Sequence, residues 1–400
     1  MVSHWLSALK VWVVMCSSMA ARRGFYAGPA AQASDGWRAK LSRMEVAVVG
    51  AGIVGCAIAS ALARRGRDVV VLERAARVGT GITSRNSGVI HSGLYYPPGS
   101  LKAETCVRGQ ALLYAWASTH GVAHACTGKL VVARDELEVA ALAELHANAA
   151  ASGAGGLAWL DAAELARRAP SLPPMRAALW CERTGIIDAM ALTASLRADA
   201  ERHGASFVLQ AELLAVNATA TGFRVETTRG ELEAGSLVNA AGLESDRVAA
   251  LMGLVDPAKI YPCRGDYFRL HAPGRYQHLV YPVRRRDAAG LGVHLTLELD
   301  GGVRLGPDAE YVASRDDFGP AEHKHADFLA AAQALLGPIA PLLLRYDGCG
   351  IRPKLRAPDE REERDFMLCE GPPGCVHLIG VESPGLTAAL ALAERVVGLL

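Results

Sequence analysis

Nine cysteines are scattered along this 400-residue chain, and no two of them form a Cys-x-x-Cys pair. An odd, unpatterned set argues against a disulfide framework or a zinc site and for reduced thiols in an intracellular compartment. Charge of one sign is equally absent. With 42 basic and 41 acidic residues, the chain offers no electrostatic case for nucleic acid or an anionic membrane surface. No uninterrupted apolar run reaches the about 20 residues a bilayer span requires, because the longest candidate, residues 5–21, is broken by Lys10. Internal repeats are missing, and histidine, cysteine and acidic residues nowhere fall at metal-ligand spacing. A composition that is 51% hydrophobic and 21% charged leaves a globular protein large enough for two cores and directed at small molecules.

What is present is concentrated in residues 46–73, VAVVGAGIVGCAIASALARRGRDVVVLE. An apolar run ends in a glycine turn, an apolar helical pattern follows, and a second apolar run ends at the acidic Glu73. In such a βαβ unit Gly50 permits the tight turn, Gly52 lets backbone approach a pyrophosphate, and Gly55 lets the helix lie close to its strands. The helix N-terminus favours an anion, and Glu73 is placed to accept the hydroxyls of an adenosine ribose. The motif by itself does not separate NAD from FAD.

Residues 74–93, RAARVGTGITSRNSGVIHSG, form a long loop expected over the nucleotide crevice. Ser100 is the expected N-cap of a helix over 101–119. Asn239-Ala240-Ala241-Gly242 ends a later strand in small residues that let backbone approach a ligand. Residues 261–311 read as short strands separated by glycine and proline, and Pro384-Gly385 opens a final helix.

In order along the chain, GAGIVG, SRNSGVIHSGLYYPPGSLKA, TGIID, NAAGLES, YPCRGDYF, GVHLT, GIRPKL and ESPGLT resemble the D-amino-acid-oxidase-like FAD superfamily, and within it the L-2-hydroxyglutarate dehydrogenase group. The resemblance covers residues 44 onward. It implies an α/β protein in which a Rossmann-like FAD-binding domain (44–130, 188–255 and 345–400) is interrupted by an α+β substrate domain (131–187 and 256–344) with a mostly antiparallel sheet. It also implies FAD as the cofactor and an L-2-hydroxy acid, with 2-hydroxyglutarate foremost, oxidised to the 2-oxo acid. The cofactor-contacting set it suggests is Arg74, Thr83, Asn86, Ser87 and Gly88 in the loop, Ala241 and Gly242, Gly350, and Gly385, Leu386 and Thr387, beside Gly50, Gly52, Gly55 and Glu73.

Moving a hydride from a secondary alcohol to flavin N5 needs a carboxylate anchor, a base and a group that stabilises the reduced flavin. Arg352 can form a planar fork with a carboxylate, and its GIRP context resembles the substrate arginine of amino-acid oxidases; a salt bridge tying the domains together is the competing reading. His294 and His91 are the candidate bases, since an ordinary imidazole pKa of about 6.5 suits proton abstraction. Either can instead be a hydrogen-bonded structural residue. Arg264 and Lys354 are candidates for a distal carboxylate, with Tyr267 and Tyr281 lining the pocket. The helix beginning near Thr387 can aim its N-terminus at the reduced flavin. Cys349, beside Gly350, raises a thioether to the flavin, as some sarcosine oxidases make.

Two other functions compete: an amino-acid or amine oxidase of the same superfamily, and a non-catalytic FAD-binding assembly factor. Retention of both the acid anchor and a base speaks against the last. The electron acceptor is open between oxygen, a quinone and an electron-transfer protein. Residues 1–43 read as a disordered extension ahead of a start at Met44, with a basic transit peptide as the alternative. The expected location is accordingly cytoplasmic, with peripheral attachment at the inner membrane, or mitochondrial if the extension is a transit peptide.

Overall fold

A computed structural model describes residues 43–283 and 292–400. The expected extension and its transit-peptide alternative therefore lie, apart from Arg43, outside the described residues. Arg43 itself opens the first strand, Arg43–Val49.

Five parallel strands form the centre of the first sheet, in the spatial order Ser206–Leu209, Val69–Glu73, Arg43–Val49, Gly230–Asn239 and Cys375–Ile379. Numbered along the chain this is 3-2-1-4-5, the doubly wound order in which ligands bind where the strand order reverses. Val46–Val48 and Val69–Val71 are fully buried, so these strands read as continuous apolar runs rather than alternations. Helices Ile53–Ala63, Leu101–His120, Ala189–Arg202 and Gly385–Leu399 contribute side chains to the same core. The Ser100 side chain caps the second of them by accepting the N–H of Ala103. Gly109 lets that helix meet the last one closely, because a Cβ there would stand 2.2 Å from the carbonyl oxygen of Thr387.

The second sheet runs Glu310–Tyr311, Tyr261–Leu270, Val303–Leu305, Leu295–Leu297, Leu279–Pro282, Lys129–Ala133, Ala177–Cys181 and Leu157–Asp161. Among its described pairs, all are antiparallel except Leu279–Pro282 with Lys129–Ala133. Strand Leu344–Lys354 adds to it antiparallel, from Tyr261 opposite Lys354 to Leu270 opposite Leu344. The return expected at residue 345 therefore comes later, at Met367–Glu370, which pairs with Cys375–Ile379 in the first sheet. A two-residue period identifies a strand but not its partner. Val89–Ile90, Gly185–Ile187 and His124–Ala125 make a small third sheet. No helix among the described residues is long and apolar enough to cross a membrane.

Candidate active site

The glycine turn lies at the carboxyl end of Arg43–Val49, beside the end of Gly230–Asn239. Gly50 has φ 103°, and a Cβ on it would approach the Ala240 oxygen to 2.6 Å; one on Gly55 would stand 1.9 Å from the Gly50 oxygen. These two glycines are demanded by backbone packing. Gly52 is different, since its Cβ would meet only Thr83 Oγ1, at 3.3 Å. It is the N-cap of helix Ile53–Ala63 and offers no side chain, while Ile53 N–H donates to Thr83 Oγ1 at 3.0 Å. Glu73 ends its strand with one carboxylate oxygen accepting Ala51 N–H and the other Ala75 N–H, both at 2.8 Å. Each oxygen retains a further lone pair.

A cavity of about 560 Å³ opens along this turn. Gly52, Ile53, Thr83, Asn86, Ser87, Ala240 and Gly242 line one part of it, with Gly350, Gly385 and Leu386. Tyr267, Tyr281, His91, His294, Arg352 and Lys354 line the other. The cavity thus joins the two sheets' chemistry in one space.

His294 stands immediately before strand Leu295–Leu297, with its ring stacked on Tyr281 at 3.9 Å between centroids. Its Nδ1 lies 2.8 Å from the Gly292 oxygen. A carbonyl can only accept, so Nδ1 carries the proton and Nε2 keeps its lone pair. Burial pushes its pKa down to about 3, with Lys129 and Arg352 contributing, so the ring is neutral at physiological pH. His91 is likewise lowered to about 3, first by burial. Its backbone N–H donates to Thr387 Oγ1 at 3.0 Å, and its buried Nδ1 has no hydrogen-bond partner among the described residues.

Arg352 donates from Nη2 to the Asp308 oxygen at 2.8 Å and from Nη1 to Cys263 Sγ at 3.7 Å. Among the described residues it forms no ion pair, so an N–H on each terminal nitrogen is left for a two-pronged contact. Lys354 pairs with Glu363 and Glu382, and Lys102 with Glu382 at 3.1 Å. Burial pulls the Glu382 pKa upward, but Lys102, Lys354 and Arg352 outweigh it and hold the carboxyl below its ordinary value.

A family model, FAD dependent oxidoreductase (DAO), matches residues 45–399. The chain belongs to that family. It is 35% identical to a mitochondrial L-2-hydroxyglutarate dehydrogenase of Arabidopsis thaliana over 88% of this chain and 83% of the relative. A protein of the same name from Escherichia coli K12 is 29% identical, over 88% and 91%. The human mitochondrial one is 33% identical, over 76% and 70%. Among solved structures, the FAD-bound L-alpha-glycerophosphate oxidase of Mycoplasma pneumoniae superposes with TM-score 0.82 at 24% identity, covering 90% of this chain and 94% of that one. Glycine oxidase from Geobacillus kaustophilus gives 0.76 at 22%, over 90% and 94%. These two establish the fold.

FAD fits the side chains present in this oxidoreductase. The bare Gly52 helix start, the Glu73 carboxylate, the unpartnered His91 Nδ1 and the uncapped start of helix Gly385–Leu399 are the kinds of group a dinucleotide and its ring would engage.

Several expected site residues stand elsewhere. Arg264 does not line the cavity; it is buried against Asp266 at 2.8 Å and donates to the Asp317 and Gly319 oxygens, which consumes its fork. Arg74 is exposed, in a loose 3.7 Å pair with Glu244. Ala241 is passed over by the cavity although both neighbours line it. A Cβ on Gly88, φ 65°, would reach the Ile187 oxygen at 2.9 Å, so that glycine serves strand pairing. Thr387 is fully buried and ties its helix to Val89 and His91. Cys349 is buried and does not line the cavity, which speaks against a flavin thioether. The sequence reading missed Lys102, Glu382 and Asp308. Lys102 and Glu382 sit inside the quoted SLKA and ESPGLT motifs, but 280 residues separate them, and nothing local announces their pairing.

Proposed function

We propose that this enzyme oxidises L-2-hydroxyglutarate to 2-oxoglutarate, with FAD as the hydride acceptor. The observation that carries the reading is a half-buried arginine without, among the described residues, a carboxylate in ion-pair contact, sharing a cavity with a histidine whose hydrogen bond fixes a free Nε2. The names of the relatives above support the substrate. We assign the nucleotide to the first sheet's switch point and the hydroxy acid to the wall formed by the second.

Arg352 holds the C1 carboxylate through its two open N–H groups and so orients the C2 hydrogen. The neutral His294 accepts the hydroxyl proton at Nε2, which lets the C2–H electron pair leave as a hydride. Bound FAD supplies N5 as the acceptor. The uncapped N-terminus of helix Gly385–Leu399 would offset negative charge on the reduced ring. Lys354, held by Glu363 and Glu382, places on the cavity wall an ammonium that a distal carboxylate could reach, in place of Arg264. Tyr267 and Tyr281 exclude water from the side of the ring stack. The electrons then pass to an acceptor, of which oxygen, a quinone and an electron-transfer protein are the classes to assay.

Anaerobic mixing with L-2-hydroxyglutarate should bleach the flavin absorbance, with the D-enantiomer and glycine inert. Bleaching by an amino acid and not by the hydroxy acid would replace the reading with that of an amine oxidase.

A further inference from the structure

Arg352 lies beside an acidic residue and does not pair with its side chain. Nη2 donates to the main-chain oxygen of Asp308 at 2.8 Å, so the Asp308 carboxylate is carried on the α-carbon next to the accepting carbonyl. Rotation of that side chain would bring it to the guanidinium, and an arginine–carboxylate fork is among the strongest contacts either group makes. Both of its oxygens are engaged elsewhere. Oδ1 accepts the Asp266 N–H at 2.7 Å, and Oδ2 accepts Lys324 Nζ at 2.8 Å. Gly265 leaves the slot in which the guanidinium lies, since a Cβ there would collide with Arg352 Nη2 and with Pro307.

Lys324 precedes helix His325–Leu336 and has only 12% of its side chain exposed. Its ammonium also meets Asp266 at 2.7 Å and Glu310 at 2.6 Å. Burial pulls its pKa down, but the hydrogen bonds to Asp266, Asp308 and Glu310 outweigh that and hold it above the ordinary lysine value, so the charge is present at physiological pH. Lys324 does not line the cavity, whereas Gly265, Asp308 and Arg352 do. Glu382, an acid whose charge acts on Arg352, is taken in the same way by Lys102 and Lys354.

We propose that Lys324 is a positioning residue that keeps the substrate arginine open: by holding the Asp308 carboxylate, it stops this acid from closing a pair with Arg352 and leaves the fork to the substrate carboxylate. The role rests on Arg352 as the carboxylate anchor. Without the lysine, Asp308 would keep one hydrogen bond from a neutral N–H against a two-pronged, charge-assisted pair with the guanidinium, and the pair is the stronger. The internal acid would then compete with every carboxylate that enters.

Holoenzymes carrying Lys324→Met, Asp308→Asn or both are titrated with glutarate, a dicarboxylate with no hydroxyl to oxidise, and binding is read from the perturbed flavin spectrum. Lys324→Met should raise the glutarate Kd about tenfold, the factor expected if Asp308 closes on Arg352 in about nine molecules of ten. KM for L-2-hydroxyglutarate should rise with it, while flavin reduction at saturating substrate changes by less than about twofold. In the Asp308→Asn background the same replacement should move Kd by less than about twofold, because the competitor is gone. A lysine acting only through its field, or only as a staple between strand and helix, would weaken binding equally in both backgrounds, and that result overturns the proposal. Lys324→Gln repeats the comparison, with FAD content and the unfolding midpoint reporting folding. If neither lysine variant folds in either background, the charge is structural and the proposal fails. A wild-type holoenzyme that binds no glutarate would overturn it too. Glutarate binding without oxidation of L-2-hydroxyglutarate would instead remove the substrate assignment, and the Kd comparison would still decide the role of Lys324.

Discussion

Arg352 and His294 line the same cavity but are bound into it differently, and their substitutions should separate. Arg352→Lys keeps the charge and loses the fork, so KM for L-2-hydroxyglutarate should rise by a factor corresponding to about 2 kcal/mol. FAD content should not change, as the guanidinium's hydrogen bonds among the described residues go to Asp308 and Cys263. His294→Ala removes the proposed proton acceptor and should slow flavin reduction in stopped flow by about 10²-fold, with little change in substrate binding. Wild-type reduction by that variant would move the base to His91. The two histidines also make stability pH-dependent. Both are held near 3 in the folded chain against an ordinary 6.5, so the unfolded chain binds more protons between those values. Stability of the apoprotein is then full above about pH 6.5 and falls as the pH drops toward 3. Urea unfolding at pH 7 and pH 5 checks the sign, and His294→Gln should lessen the difference. At this scale a motif context was a guide to position: His294 in GVHLT does line the cavity. Arg264 was misread although the signal was available: Asp266, two residues on, shares its face of the strand.

Glycine separates binding from packing at the level of elements. A Cβ at Gly52 meets, among the described residues, only the Thr83 hydroxyl, so Gly52→Val should fold normally yet come off the column colourless, because the branched side chain would occupy the pyrophosphate's approach. The absorbance ratio at the flavin band, together with circular dichroism, tests it. Gly109→Val is the contrast. Its side chain would collide with the Thr387 backbone and force helices Leu101–His120 and Gly385–Leu399 apart, costing about 3 kcal/mol or more. The midpoint of thermal unfolding should fall in that variant even after FAD is added. The helix over 101–119, its Ser100 cap and the strand YPCRGDYFRL were readable because cap chemistry and periodicity are local. Strand Leu344–Lys354 was assigned to the other sheet because its partner, Tyr261–Leu270, is chosen by tertiary packing.

The whole molecule builds its cavity from the glycine turn, the loop after the second strand, the wall of the second sheet and the last helix. FAD that fills it binds the folded chain alone. At a hundredfold excess over its Kd it should add about 2.7 kcal/mol of stability, visible as a lower unfolding midpoint after the flavin is stripped and recovery when it is returned. By itself the sequence determined the βαβ nucleotide unit, because glycine spacing and apolar runs are properties of neighbouring residues, and its ordered motifs carried the resemblance that implied the family and the chemistry. Tertiary structure alone decided which cations face the cavity. Arg264 is paired with Asp266, Lys102 and Lys354 share Glu382, and Arg352 has no ion pair among the described residues. The physical reason is that a buried charge is defined by what folding brings beside it, and for Lys102 that partner is 280 residues away.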